Sequence, residues 1–471
     1  MVWGWSDMRN RTELPSSFRD PSGFLFEDEG VLCRQINRGY QPDFDHLIES
    51  GLYARLTGEG LLIRHRQSDR KPLHPEDAYR VIEPERVGFV SYPYEWCFSQ
   101  LKHAALTTLG IQRIALEHGM CLKDSSAYNI QFHNGKPTLI DSLSFEIYRP
   151  GKPWVAYRQY CQHFLAPLAL MAMSDVRLGQ LMRFHIDGLP LDLTSRLLPW
   201  HSRLRPSLLI HIHLHAGAQR RFAGREVGSA VGKRSMSKTA MMGLIDSLHS
   251  TTERLSWCSK GTAWRDYERI HNYTPRAFQH KQTLVAEFLG SLHPHMVWDL
   301  GANTGRFSRI ASSLGAHVVA FDIDPGAVEL NYQECRRTAD THVLPLLINL
   351  TNPSPDQGWA NRERISLLSR APADAALALA LIHHLAIGNN LPLSKLASFL
   401  DKACQDLIIE FVPKEDPQVQ RLLASREDIF SEYSREGFER AFQPYFSIER
   451  AEQLQESPRW LYLMRGRSRP R

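Results

Sequence analysis

Two aspartates and two glycines at fixed spacing carry the most specific chemistry in this 471-residue chain. Val297 to Ala311 reads VWDLGANTGRFSRIA: an apolar strand ending in Asp299, a turn built on Gly301 and Gly305, then a helix. His317 to Asp324, HVVAFDID, is a second apolar strand and ends in Asp322. This is the pattern of a nucleoside-binding βαβ unit. The glycines leave room for a ligand to approach the backbone and permit φ values that a Cβ would penalise. Asp322, at the tip of the second strand, is placed to accept hydrogen bonds from two ribose hydroxyls. The spacing is D-x-G-x-x-x-G, with Asn303 where a dinucleotide fingerprint carries a middle glycine. Asp299 would repel a pyrophosphate and attract an α-ammonium.

These residues resemble motif I of the class I S-adenosylmethionine (SAM) methyltransferases, whose ligand carries an ammonium and a sulfonium. The resemblance implies a Rossmann-like sheet and SAM as cofactor. It implies that Asp299, Gly301, Ala302, Asn303 and Gly305 surround the cofactor, that Asp322 holds the ribose, that Ile323 flanks the adenine and that Asn349 and Leu350 line its amine. A lead-in helix, Tyr267 to Leu289, would cover the ligand, with Tyr273 and Lys281 reaching its adenosine or carboxylate. Asp324 either touches the ligand or caps the helix that Pro325 opens.

The elements that must position these residues follow from the apolar runs. Strands are expected at Met296 to Leu300, His317 to Phe321, His342 to Ile348, Asp374 to Ile382 and Asp406 to Val412, with helices between them, as in a doubly wound sheet. Phe446 to Arg450 and Trp460 to Met464 read as a closing hairpin. Ligands of such sheets bind where the parallel strands end, which brings Leu381 to Leu385 to the site. His383 and His384 stand there as candidate catalytic bases, since histidine titrates near neutrality. Glu410, ending the fifth strand, is a second candidate and needs a partner if buried.

The N-terminal half carries another pattern. In GMCLKDSSAYNIQFHNGKPTLIDSLSFE, Asp124 precedes Asn129 by five positions and Asp141 follows Asn129 by twelve, with the turn HNGKP between two short strands. This resembles the catalytic loop and metal-binding segment of protein-kinase-like and aminoglycoside-kinase-like phosphotransferases. Lys123 before the first acid and Asp141-Ser142-Leu143 depart from that pattern. Thr57 to Arg66 is the nearest approach to a phosphate loop, a hairpin with Arg64 in place of the nucleotide lysine.

Composition narrows the class. Hydrophobic residues make up 43% and charged residues 23%, ordinary for a globular protein, and a net charge of +5 gives no warrant for a nucleic-acid partner. The seven cysteines are scattered without a CxxC pair, which argues against a disulfide framework or zinc site and for a reducing compartment. The first residues, MVWGWSDMRNRTEL, lack the apolar core of a signal peptide. FLAPLALMAM, Phe164 to Met173, falls short of the ~20 residues of a membrane span and reads as a buried helix. The histidines of HIHLH, His211, His213 and His215, have no visible further ligand, and no metal is expected. The protein is therefore expected in the cytoplasm.

The whole chain resembles the two-part bacterial class I SAM-dependent methyltransferases, some of them linked to nodulation. The expected fold class is α/β: residues 1–220 an α+β kinase-like or accessory domain, mostly helical after residue 95, 221–238 a linker, and 239–471 the Rossmann-like methyltransferase domain. The expected function is methyl transfer from SAM to an unidentified acceptor, a small molecule or glycan. A phosphotransferase using the pseudokinase-like half and a non-catalytic SAM-binding scaffold remain the alternatives.

Overall fold

The computed structural model describes residues 11–217, 235–258, 273–424 and 426–467. Two compact units emerge: residues 1–258 with 356–364, and residues 259–355 with 365–471.

The first unit opens with five strands, β1 (Arg11–Glu13), β2 (Gly23–Asp28), β3 (Val31–Asn37), β4 (His65–Gln67) and β5 (Ala78–Pro84), paired antiparallel in the order β1-β2-β3-β5-β4. Helices Gln41–Glu49 and Leu52–Gly58 lie between β3 and β4 in the chain. Thr57 and Gly58 thus end a helix, and the hairpin expected over Thr57 to Arg66 is not formed. The long helix Phe98–Glu117 follows, then the short pairs β6 (Met120–Leu122) with β9 (Phe145–Ile147) and β7 (Ile130–His133) with β8 (Lys136–Leu139). HNGKP is the turn between β7 and β8, where Asn134 and Gly135 adopt the left-handed φ that a two-residue hairpin turn demands. The run FLAPLALMAM is a buried helical stretch ending in helix Ala166–Met173.

The expected linker, 221–238, lies outside the described residues apart from its end. The helix after it, Lys238–Arg254, belongs to the first unit rather than the second: Lys102 Nζ donates to the carbonyls of Glu253 and Leu255 at 2.7 and 2.8 Å. The segment 356–364 is also part of this unit, held by the Arg19–Glu363 ion pair (2.7 Å) and by Gln357 Nε2 donating to the Arg183 carbonyl (2.7 Å).

The second unit is a seven-stranded sheet: β10 (Met296–Leu300), β11 (His317–Asp322), β12 (Val343–Leu347), β13 (Ala373–Ala378), β14 (Cys404–Phe411), β15 (Phe446–Gln453) and β16 (Trp460–Gly466). The order is β12-β11-β10-β13-β14-β16-β15; the first five are parallel, and β16 pairs antiparallel with both β14 and β15. The expected strands and closing hairpin are present. β13 stops at Ala378, four residues short of the expected Ile382, because Ala380 turns to φ +51° and the chain enters a short π-helical turn, His384–Gly388.

Val297, Val318, Ala320, Leu377 and Ile408 pack with Val285 and Phe288 of helix Pro275–Leu292. Each of these Val, Leu, Ile and Phe side chains, once buried, contributes about 1.5–3 kcal/mol. Alanines along β13 are fully buried, as a central parallel strand covered on both faces requires. The lead-in helix starts at Pro275, with Thr274 accepting from the Ala277 N–H; residues 267–272 of the expected helix lie outside the described residues. Asp324 caps helix Pro325–Thr338, accepting from Gly326 and Ala327.

Candidate functional site

The parallel strands all end at one edge of the second unit, at the switch in strand order between β10 and β13. There a cavity of about 330 Å³ opens. Gly301, Asn303, Asp322, Ile323, Asn349, Leu350 and His384 line it, all of them singled out from sequence. Ile348, Leu379, Leu381 and Leu385 supply much of its apolar wall. Among the described residues that line it, Asp322 is the one acid and none is Lys or Arg.

The loop geometry explains the residue types. Gly301 sits at φ +77°, and a Cβ there would come within 3.2 Å of Leu381. Asn303 adopts φ +50°, which asparagine tolerates better than most residues. Gly305, at φ +80°, leads into helix Arg306–Ser313; a Cβ there would fall 2.2 Å from Asn331 Oδ1.

Asp322 accepts the backbone N–H of Asn303 through one carboxylate oxygen and that of Asp324 through the other, both at 2.8 Å. Each oxygen keeps a further lone pair. Burial pushes this carboxyl up to about 6 despite those hydrogen bonds. Asp299 is 3% exposed and does not line the cavity. Its Oδ2 accepts from Ser308 Oγ at 2.6 Å, tying the end of β10 to the first turn of the following helix, and burial raises it too to about 6. Ala302 and Gly305 shape the loop without lining the cavity.

Tyr273 and Lys281 meet a different partner. Lys281 Nζ lies 2.7 Å from Glu410 Oε2 and donates to the Tyr273 hydroxyl at 3.0 Å; that hydroxyl donates to Glu410 Oε1 at 2.6 Å. Arg459 donates to the Tyr273 hydroxyl and holds Asp416 through Nε (2.7 Å) and Nη2 (3.1 Å). Burial pushes the Lys281 ammonium down against the pull of Glu410. Glu410 is drawn below the usual carboxylate range by Lys281 and Arg459, which outweigh its own burial. The partner that Glu410 needs is thus this buried network.

His384 faces the cavity and His383 does not. His383 is fully buried, its ring centroid 4.1 Å from that of His384, and neither of its ring nitrogens has a hydrogen-bond partner. Burial lowers His384 to about 4 and His383 further still, so both are neutral at pH 7.

Sequence reading missed Phe321, Ile348, Thr351, Leu379, Ala380, Gly388 and Asn389 on the cavity wall. Gly388-Asn389 carried a turn signal, but its place at the site follows from the π-helical turn after β13.

In the first unit, Asp124, Asn129 and Asp141 do come together. Burial raises the Asp124 carboxyl, with the Asp141 charge adding to it, and Asn129 shares a hydrogen bond with Asp124. Asn129 Nδ2 also donates to Ser144 Oγ, which donates to Asp141 Oδ2 at 2.7 Å. The cation beside Asp141 is Arg34 of β3, with Nη1 2.6 Å from Oδ1, and not Arg64. The three histidines of HIHLH bond to hydroxyls or stack: His211 between Tyr157 and Ser247, His213 between Ser195 and Ser202, His215 against the Tyr157 ring.

Together these features define a doubly wound, Rossmann-like α/β domain with a nucleoside-sized cleft at its switch point, joined to a second α+β unit. The chain belongs to the family of the nodulation protein NoeA of Rhizobium meliloti (strain 1021), with 36% identity over 458 residues spanning 95% of each chain. No family model matches the chain. Among solved structures, the bifunctional kinase-methyltransferase WbdD is similar over 44% of this chain and 43% of its own at 20% identity (TM-score 0.28). A SAM-dependent methyltransferase from Aquifex aeolicus is similar over 44% of this chain and 98% of its own at 14% identity (TM-score 0.30).

Proposed function

We propose that the second unit transfers a methyl group from SAM to an unidentified acceptor, a small molecule or glycan. The observation that carries this reading is the charge of the cleft: one carboxylate at a strand tip, apolar walls, and, among the described residues, no lining Lys or Arg. Such a cleft suits a cationic nucleoside and opposes phosphates.

The residues present fit SAM. Asp322 has lone pairs for two ribose hydroxyls, and Gly301 leaves the backbone bare where a Cβ would meet Leu381. Ile323 flanks the adenine, and Asn349 with Leu350 lines its amine edge. Ala302, Asn303 and Gly305 hold the loop in shape, and Asp299 sets the field beneath it. Tyr273 and Lys281 act on the cofactor side through the wall they brace with Glu410. SAM supplies an activated methyl on a sulfonium when bound, so the protein has chiefly to align the acceptor and exclude water. His384, neutral and on the cavity wall, is the group that takes the acceptor's proton; His383 packs behind it.

In this reading the first unit has a kinase-like fold and orients the acceptor. The Arg34–Asp141 pair speaks against phosphotransfer, since a protein cation already holds the carboxylate that a nucleotide-bound metal would need. Calorimetric titration tests the proposal. SAM is expected to bind the wild-type protein at least tenfold more tightly than Asp322→Ala, and Mg·ATP is expected not to bind. Equal SAM affinity in the two proteins rejects it.

A further inference from the structure

Helix Leu191–Leu197 and the turns that follow it are tied together by buried polar groups. The hydroxyl of Ser202 donates to the Pro199 carbonyl (2.6 Å), so it accepts from His213 Nε2–H (2.9 Å). That leaves His213 Nδ1 to accept from the Ser195 hydroxyl at 2.8 Å. One buried imidazole thus pins the helix, the turn Trp200–Leu204 and the helical stretch Leu209–Leu214 to one another. Ser174 Oγ ties the end of the helix down through the Leu197 carbonyl (3.1 Å). Leu191, Leu198, Leu208 and Ile212 are buried with these polar groups, while Leu197, Trp200, Leu204, Ile210 and Leu214 are 41–75% exposed. They are five of the fifteen large hydrophobics exposed among the described residues, gathered within eighteen positions.

The charge of the same stretch is one-sided. After Asp192 in the first turn of the helix, residues 193–217 hold three arginines, Arg196, Arg203 and Arg205, and no aspartate or glutamate. All three arginines are exposed and interleave with the apolar side chains. An exposed indole and aliphatic groups on a held backbone, with guanidinium groups beside them, match one environment well: a bilayer surface, with acyl chains for the former and anionic headgroups for the latter. Among the described residues no helix is long and apolar enough to cross a membrane, so any such contact is peripheral.

We infer that the surface of residues 197–214 docks the protein reversibly on a bilayer carrying anionic lipid. The docking is independent of the cofactor cleft and stands whether or not SAM binds.

Flotation of the full-length protein with vesicles tests this. Vesicles of phosphatidylcholine with one-third phosphatidylglycerol are expected to carry the protein upward at low salt and to release it at high salt, while pure phosphatidylcholine vesicles bind it far more weakly. Trp200→Ser with Leu204→Ser, which leaves the His213 pins intact, is expected to lower binding at least tenfold. Arg203→Gln with Arg205→Gln is expected to lower it about thirtyfold and to flatten the salt dependence. Both doubles alter exposed side chains and should melt with the wild type, which a thermal scan checks; either one alone suffices if the other misfolds. Failure of the wild type to float, or variants that float as it does, overturns the inference. So does a wild-type dimer in light scattering that Trp200→Ser dissociates, because the patch then covers a second copy.

Discussion

Lys281 and Glu410 form an ion pair of 2.7 Å in which both side chains are sealed from solvent, at 3% and 0% exposure. Such a pair holds its place only because Tyr273 and Arg459 satisfy the remaining oxygens. It joins the start of helix Pro275–Leu292 to the end of β14 and so braces one wall of the strand-end edge. Glu410→Gln leaves the Lys281 ammonium buried without its counter-charge and is expected to cost about 3 kcal/mol of stability, read from chemical denaturation. A change in SAM affinity with no loss of stability would instead make Lys281 a direct ligand contact.

The two raised carboxyls give the cleft a pH dependence of defined sign. Asp299 and Asp322 sit near 6 against an ordinary 3.8, so the unfolded chain loses their protons first as pH rises. Their contribution to stability is therefore complete below about pH 4 and is lost between there and about pH 6. A ligand that needs Asp322 ionised restores what is lost. SAM affinity is expected to be level above pH 7 and to fall about tenfold per unit below pH 6, with proton release on binding near pH 6. Calorimetry in buffers of different ionisation enthalpy measures both; affinity independent of pH from 5 to 8 contradicts the assignment.

For the histidines the expectation is silence near neutrality. With His384 lowered to about 4 by burial and the Arg459 charge, and His383 lower still, both rings should remain neutral at pH 5.5. Nitrogen-resolved NMR of the imidazoles, assigned through His384→Gln and His383→Gln, reads this directly. A His384 titration near 6.5 would show that its ring is open to water.

Gly305 and Gly315 separate backbone strain from crowding. Both have left-handed φ, +80° and +92°, but only the Gly305 position is walled in, by the Asn331 amide. Gly315→Ala is expected to cost roughly 1–2 kcal/mol, and Gly305→Ala more, because Asn331 must move as well. Thermal melts of the two variants compare them; equal losses would mean that Asn331 yields freely.

The glycine-rich loop after β10 was legible because its requirements are local. Gly301, Asn303, Gly305 and Asp322 sit where left-handed turns and a strand tip put them, and each need is visible within a few residues. The parallel strands were legible for a similar reason, since burial on both faces writes itself as an unbroken apolar run. What escaped is set by packing between distant segments. Nothing near Arg34 announces Asp141 as its partner, and nothing near Glu410 names Lys281, Tyr273 and Arg459. Nor does the sequence show that Ser308 bonds Asp299, since that contact exists only once the helix folds back over β10. The end of β13 was misjudged because alanine at φ +51° has no signal in composition.

The segment 356–364 has a consequence for how the chain is divided. The backbone reaches the second unit after 258, returns to the first for nine residues, and goes back again at 365. Residues 259–471 alone would carry in their middle a nine-residue segment of the first unit, with Glu363 deprived of Arg19 and Arg364 of the Tyr128 ring. Separating the two units therefore means cutting the backbone at three crossings, after residues 258, 355 and 364, rather than at one linker.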